Sequence, residues 1–239
     1  MAGPILIHGQ NSLDTRFEPS SLGPTDPFAA FRSCAWTGPV GMAVGQVRWS
    51  GGGLNIADFP QTELIIIQHG RIIVETSDGA TTLTAGMAAT LLRGAALRLQ
   101  ATAAVAWSFC AGAVPERAAP AGAFQIIDPA TDLEPSPPPR REVLIGPTPV
   151  CRGADQVHDL DCALRVGVWA STPYVRQCVP HRVNELMHLL EGSVTLTDDE
   201  GRSIVAGAGE TIFVPRGAPC AWISTVPVRK IYAIQEVPA

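Results

Sequence analysis

The chain has 239 residues and a mass of 25.2 kDa, enough for one large domain or two small ones with buried cores. Its 23 glycines and 21 prolines interrupt the chain too often for a helical bundle and favour short strands joined by turns. A hydrophobic content of 46% excludes a disordered acidic protein. A net charge of −5 argues against nucleic acid or an anionic membrane surface as a partner.

The N-terminal sequence and the cysteines both favour a cytoplasmic protein. The opening residues MAGPILIHGQ have no basic region and too short an apolar stretch for a secretory signal. No segment stays apolar over the ~18 residues that a membrane span requires. The six cysteines are scattered without CxxC spacing, so we expect reduced thiols. Lys230 is the only lysine, which argues against Schiff-base chemistry.

The two halves of the chain repeat one another. Glu63-Leu64, an apolar run and Gly70 reappear as Glu185-Leu186, an apolar run and Gly192. Further matches in the same order are Gly79 with Gly201, Gly86 with Gly209, Arg93-Gly94 with Arg216-Gly217, Trp49 with Trp169, and Glu18-Pro19-Ser20 with Glu134-Pro135-Ser136. Such an ordered set indicates a duplication. The match between the two tryptophans favours a structural role for both.

Short apolar or β-branched segments separated by glycines predict strands in both repeats. In chain order these are residues 64–68, 71–76, 81–83 and 90–92, then 186–190, 193–197, 203–205 and 211–214. Asp78-Gly79 and Glu200-Gly201 stand where hairpins must reverse, and glycine supplies the positive φ there. Residues 29–34 alone have a weak helical periodicity.

These segments predict an all-β chain of two domains, residues 1–113 and 150–239. A proline-rich connection at 114–149 joins them, and Ile126-Ile127 predicts an ordered strand inside it. We expect two tandem jelly-roll domains, each closed around a small cavity. A homodimer is a further expectation.

The second repeat contains most of the spacing of the two cupin motifs, H-x3-E-x6-G and G-x5-P-x-G-x2-H. The matching residues are His181, Glu185, Gly192, Gly209, Pro215, Gly217 and, in place of the last histidine, Cys220. Residues 183–231 resemble the Cupin_3 family, named for ureidoglycine aminohydrolase, within the RmlC-like cupins. The resemblance implies two tandem cupin domains with the jelly-roll, or double-stranded β-helix, fold. The C-terminal domain is then the Cupin_3-like one and the N-terminal domain a degenerate copy.

The cupin resemblance implies a candidate metal site in the C-terminal domain. Cupins bind divalent transition metals through three or four converging histidine and carboxylate side chains. Val179 stands at the first histidine position, so His181, Glu185 and Cys220 remain as candidate ligands of one Zn or Mn ion. Gln177, two residues before Val179, is expected on the same strand face by alternation. A cavity without a metal is the alternative.

Each candidate site residue also has a structural interpretation. The candidate catalytic residues are Glu185 and His181, and the candidate ligand-binding residues are Gln177, Cys220 and Trp222. A buried Glu185 is costly unless it is paired, and Arg176 or Arg229 would neutralise it. Cys220 serves equally well as an inert buried thiol, and Trp222 as core packing.

The first repeat lacks the metal-ligand pattern. Glu63 keeps the glutamate position, but Ala57, Phe59 and Leu97 stand at the histidine positions. One carboxylate among apolar side chains cannot hold a divalent ion, so we expect no metal in this half. We therefore expect Glu63→Gln to leave any ligand or metal binding unchanged.

Two main functions are compatible with the sequence. In the first, the C-terminal cavity binds a divalent metal and hydrolyses or deaminates a small polar nitrogen compound, as the family resemblance implies. In the second, a metal-free cavity binds a small-molecule ligand through Glu185 without turnover. A structural role in an assembly is a third possibility. The expected partner is a small molecule, and neither nucleic acid nor a membrane is expected.

Overall fold

The computed structural model describes residues 3–10, 14–114 and 120–236. This part of the chain is almost entirely antiparallel β-structure, with short 3₁₀ helices at Pro39–Gly41 and Arg141–Val143, so the all-β prediction is confirmed. The helical periodicity of residues 29–34 was misleading, since turn residues there lead into a strand. Among the described residues, no helix is long and apolar enough to cross a membrane.

The strands are numbered in chain order. The first twelve are β1 (Ile5–His8), β2 (Glu18–Pro19), β3 (Arg32–Thr37), β4 (Ala43–Trp49), β5 (Gly52–Ile56), β6 (Glu63–His69), β7 (Arg71–Thr76), β8 (Gly79–Thr84), β9 (Ala88–Leu91), β10 (Leu97–Ala101), β11 (Val105–Ala111) and β12 (Phe124–Ile126). The others are β13 (Glu134–Ser136), β14 (Leu144–Ile145), β15 (Cys151–Asp159), β16 (Leu164–Ser171), β17 (Tyr174–Pro180), β18 (Asn184–Glu191), β19 (Ser193–Thr197), β20 (Ser203–Gly207), β21 (Thr211–Val214), β22 (Pro219–Ser224) and β23 (Val228–Gln235).

The described chain divides into two compact units, and neither is contiguous in sequence. The N-terminal unit comprises the described residues of Arg16–Ile127 together with Val157–Leu164. The C-terminal unit comprises Asp128–Gln156, Arg165–Glu236 and strand β1. The units therefore differ from the contiguous ranges expected from the sequence. The described part of the proline-rich connection contributes β12 to the first unit and both β13 and β14 to the second.

The two units have matching strand orders, except that the smaller sheet of the C-terminal unit has one additional strand, β14. In the N-terminal unit a seven-stranded sheet has the order β12-β9-β6-β11-β4-β3-β2, and a second sheet has the order β5-β10-β7-β8. In the C-terminal unit the corresponding orders are β1-β21-β18-β23-β16-β15-β13 and β14-β17-β22-β19-β20. Each repeat-derived strand thus has its counterpart in the same place, which accounts for the sequence repeat.

Apolar side chains from the two sheets of each unit pack against each other. In the N-terminal unit these include Ile65, Trp107 and Phe109 of the larger sheet and Val74 and Leu99 of the smaller one. In the C-terminal unit they include Met187, Leu189, Ile212, Leu196 and Trp222. This arrangement of two facing antiparallel sheets is the jelly-roll architecture predicted from the sequence.

The turns that join the predicted strands also follow the sequence. Gly79 and Gly201 have φ angles of +135° and +79°, the conformation that was expected of glycine at the two hairpins. Strands β7, β19 and β21 have the predicted bounds, and most of the other predicted strands extend by one or two residues at one or both ends. All six cysteines have free thiols, and only Cys178 is exposed.

Candidate functional site

A cavity of about 580 Å³ lies between the two sheets of the C-terminal unit. The larger sheet contributes side chains from β15, β16, β18 and β23, and the smaller sheet contributes side chains from β17, β19 and β22. The polar and aromatic lining residues are Ser136, Asp155, Arg165, Trp169, Tyr174, Arg176, His181, Glu185, Cys220, Trp222, Lys230 and Tyr232. A cavity of this size suits a small organic molecule.

Glu185 is bound on both carboxylate oxygens by side chains of the same cavity. Its Oε1 accepts a hydrogen bond from Lys230 Nζ at 2.9 Å, and its Oε2 lies 3.0 Å from His181 Nε2. The three side chains are only 8–13% exposed. Charge-assisted bonds in such a shielded place hold the carboxylate in one orientation.

Glu185 is ionised in this arrangement. Burial by itself opposes its ionisation, but the Lys230 ammonium and the His181 imidazole outweigh burial and hold the pKa of Glu185 well below its usual range. An ionised carboxylate only accepts hydrogen bonds, so His181 donates Nε2–H to it. When His181 is neutral, its lone pair is then on Nδ1, which is buried and has no hydrogen-bond partner in the described part of the chain.

Two tryptophans enclose the Lys230 ammonium. Lys230 Nζ lies 4.8 Å from the ring centre of Trp169 and 5.2 Å from that of Trp222. Indole faces attract cations, and they stabilise a desolvated ammonium most strongly. The only lysine of the sequence is thus held by one carboxylate and two aromatic rings inside the cavity.

A second charged pair lies in the wall of the cavity. Asp155 accepts hydrogen bonds from Arg165 and from the Tyr232 hydroxyl. Burial, followed by the bond to Asp155, raises the pKa of Tyr232 far above its usual range, so its hydroxyl remains protonated. Tyr174 and Trp222 stack with their ring centres 5.4 Å apart and form a flat apolar part of the wall.

The predicted metal ligands do not fit a divalent ion. Burial raises the pKa of Cys220 to about 11, so forming the thiolate that a metal needs would cost more here than at an exposed cysteine. A divalent ion at Glu185 would be repelled by the Lys230 ammonium. Within the described ranges, no group of three histidine, cysteine or acidic side chains is arranged to hold a metal.

The predicted position of Gln177 is wrong, because a β-bulge interrupts strand alternation. In the pairing of β17 with β22, Arg176 lies opposite Trp222 and Val179 lies opposite Cys220. Two residues, 177 and 178, therefore stand against the single residue 221. Gln177 is exposed and does not line the cavity, whereas Arg176 does.

Four of the five candidate site residues predicted from the sequence lie in the cavity. His181, Glu185, Cys220 and Trp222 all line the cavity, as expected. Neither arginine proposed to neutralise Glu185 does so: Arg176 donates to the Cys220 carbonyl, and Arg229 donates to the carbonyls of Pro129 and Thr131. Lys230 neutralises it instead.

Trp169 and Lys230 are the functional candidates that the sequence did not indicate. Trp169 was interpreted as structural because Trp49 matches it, yet Trp169 lines the cavity and Trp49 is a core residue. Two features of the sequence could have indicated a functional role for Lys230. It is the only lysine, and it lies on a buried strand.

The N-terminal counterpart of Glu185 is closed off by a buried ion cluster. Glu63 accepts two hydrogen bonds from Arg32, at 3.1 and 2.9 Å, and Arg32 also binds Asp26. The Arg32 guanidinium lies 4.1 Å from the ring centre of Phe109, and all three charged side chains are 0% exposed. Burial raises the pKa of Glu63, which shares a single guanidinium with Asp26. Glu63 was expected to be a lone carboxylate among apolar side chains, but it is paired with Arg32.

The two facing sheets and the cavity between them define a protein of the cupin class. The Cupin_3 family model, described as an EutQ-like cupin domain, matches residues 161–232. A protein of unknown function from Pseudomonas syringae pv. tomato, which belongs to the DUF861 family, is 34% identical to this chain. Their alignment covers 98% of this chain and 100% of that one, with a TM-score of 0.93. This chain therefore belongs to the DUF861 family of cupins.

More distant structures share the fold alone. A cupin 2 conserved barrel domain protein from Leptotrichia buccalis is 9% identical over 84% of this chain and 86% of its own, with a TM-score of 0.57. Ylba from E. coli, also of DUF861, is 14% identical over 85% of this chain and 83% of its own, with a TM-score of 0.53. No curated protein matches this chain.

Proposed function

We propose that the C-terminal cavity binds a small polar organic molecule without a metal ion. The observation that carries this proposal is the bonding of Glu185, whose two oxygens are taken by Lys230 and His181. The ammonium supplies, from within the chain, the positive charge that a divalent ion supplies in metal-binding cupins. The raised pKa of the Cys220 thiol, the third candidate ligand, also supports a cavity without a metal over the metal-dependent aminohydrolase that the family resemblance implies.

The His181–Glu185 pair favours a second candidate function, metal-free acid–base catalysis. An ionised carboxylate that accepts Nε2–H orients the imidazole and leaves Nδ1 as its basic nitrogen. Because Nδ1 is buried, the ring must shift before Nδ1 can take a proton from a bound molecule. Glu185 itself is a poor base at neutral pH, because its pKa is held low. In this function His181 transfers the proton, and Glu185 holds the His181 imidazole in position.

The metal content of the purified protein tests the proposal. We expect far less than one equivalent of Zn or Mn per chain after purification without chelators, and the same in Glu185→Gln. Glu63→Gln is the matched control, because Glu63 occupies the equivalent place on strand β6 of the other unit. One equivalent of metal in the natural protein that is lost in Glu185→Gln would overturn the proposal and restore the metal-dependent hydrolase.

A further inference from the structure

The charges in the cavity wall do not balance. Three cationic residues line the cavity, Arg165, Arg176 and Lys230, against two acidic residues, Asp155 and Glu185. Each acid has its own cation, since Asp155 binds Arg165 and Glu185 binds Lys230. One positive charge, that of Arg176, is therefore left in the wall without a carboxylate.

Arg176 also has hydrogen-bonding capacity to spare. Its Nη2 donates to the Cys220 carbonyl at 3.0 Å, while its buried Nε–H has no acceptor among the described residues. Arg93 also has a buried nitrogen without a partner, Nη1, but its charge is paired with Asp159 and Asp161. The charge of Arg32 is likewise paired, with Asp26 and Glu63. Of these three arginines, Arg176 alone lines the cavity and has no carboxylate partner among the described residues, so its charge and its remaining N–H donors are left for a bound molecule.

The β-bulge places this guanidinium beside the aromatic wall. Arg176 is paired directly with Trp222, and Trp222 stacks on Tyr174. Bulges often re-aim a side chain next to a binding site, and here Arg176 stands where regular alternation had predicted Gln177. Trp169, edge-on to Trp222 with ring centres 6.3 Å apart, extends the aromatic surface.

We propose that the ligand of this cavity is a small carboxylate with a flat, unsaturated body. The proposal rests on the function proposed above and specifies its ligand. The carboxylate pairs with Arg176, whose planar fork of N–H donors matches two carboxylate oxygens. The flat body packs against the rings of Trp222, Tyr174 and Trp169. The cavity volume of about 580 Å³ accommodates a single-ring acid.

Three probes of the same shape and different charge test this proposal: benzoate, benzamide and benzylamine. By calorimetry or ligand-detected NMR, we expect benzoate to bind at least about tenfold more tightly than the other two, as a charge-assisted bidentate pair permits. Acetate, which has the carboxylate without the ring, is expected to bind more weakly than benzoate.

Variants of Arg176 test whether its guanidinium binds the carboxylate of benzoate. Arg176→Gln is expected to weaken benzoate binding at least about tenfold and to leave benzamide binding unchanged. Arg176→Lys keeps the positive charge but lacks the planar fork of N–H donors. Its affinity for benzoate is expected to lie between those of the natural protein and Arg176→Gln. Arg202→Gln is the matched control, because Arg202 is an exposed arginine on the hairpin between β19 and β20, and it should bind benzoate normally.

The results separate this inference from the proposed function. Equal binding of the three probes, no benzoate binding at millimolar concentration, or unchanged benzoate binding in a folded Arg176→Gln or Arg176→Lys protein overturns the carboxylate assignment. None of these results restores a metal to Glu185. The metal analysis described above tests that point by itself.

Discussion

Arg32→Met is expected to lower the stability of the N-terminal unit by about 3–5 kcal/mol, the cost of removing one partner from a buried ion pair. Asp26 and Glu63 share the Arg32 guanidinium, and all three side chains are fully buried. Without that cation, two carboxylates remain in the core without a counter-charge. Urea unfolding followed by tryptophan fluorescence measures the change.

The control for this prediction is Arg98→Met, in the exposed Arg98–Glu75 pair, which should cost about 0–1 kcal/mol. A variant with Asp26→Asn, Glu63→Gln and Arg32→Met combined should recover much of the lost stability, because no buried charge is left unpaired. If Arg32→Met unfolds at the same urea concentration as the natural protein, the ion cluster is not a stabilising part of the core.

Lys230→Met is expected to have the largest effect in the C-terminal unit, about 3–5 kcal/mol at pH 7. The variant leaves Glu185 shielded from water with His181 as its remaining partner. The natural pair lowers the pKa of Glu185, so its stabilising contribution is present above the ordinary glutamate value of about 4.5 and is lost as the pH falls below it. The deficit of Lys230→Met should therefore keep its pH 7 size down to about pH 5 and shrink as the pH falls below about 4.5.

The double variant Lys230→Met with Glu185→Gln separates charge from packing. It should be more stable than Lys230→Met alone at pH 7, because a neutral amide replaces the unpaired carboxylate. Urea midpoints of the natural protein, both single variants and the double variant complete the cycle. A double variant less stable than Lys230→Met at every pH would mean that the two side chains do not act as an ion pair.

The strands were predictable because their signals are local. Glycines at the turns and β-branched or apolar residues between them indicated strands β6 to β9 and β18 to β21. Because the two halves repeat one another, strands predicted in one half supported the matching strands in the other. Strand β1 was not predictable, because it is defined by pairing with β21, about two hundred residues away in sequence.

The site was only partly predictable, because side chains meet there across large sequence separations. The cupin spacing identified His181 and Glu185, which lie four residues apart. Lys230 reaches Glu185 from 45 residues away, and Arg32 reaches Glu63 from 31 residues away. Contacts between residues so far apart in the chain produce no recognisable spacing in a single sequence. The alternation rule assumes regular pairing, so it could not predict the bulge in β17 that turns Arg176 instead of Gln177 toward the cavity.

The two repeats show how one position can take two forms. Glu63 and Glu185 occupy equivalent strands, and both carboxylates are bound by a cation from elsewhere in their own unit. In the N-terminal unit the cation is a fully buried arginine that closes the core. In the C-terminal unit it is a lysine beside a cavity, so the charged group remains next to a space that a ligand can occupy.

The state of the single lysine side chain provides the most direct test. A protein labelled with ¹⁵N at lysine Nζ should give one side-chain ammonium signal, because the sequence contains no other lysine. We expect slow exchange of its protons with water, a ring-current shift to low frequency from Trp169 and Trp222, and loss of both features in Glu185→Gln. A rapidly exchanging signal at the position of free lysine would contradict an internal ammonium at Glu185.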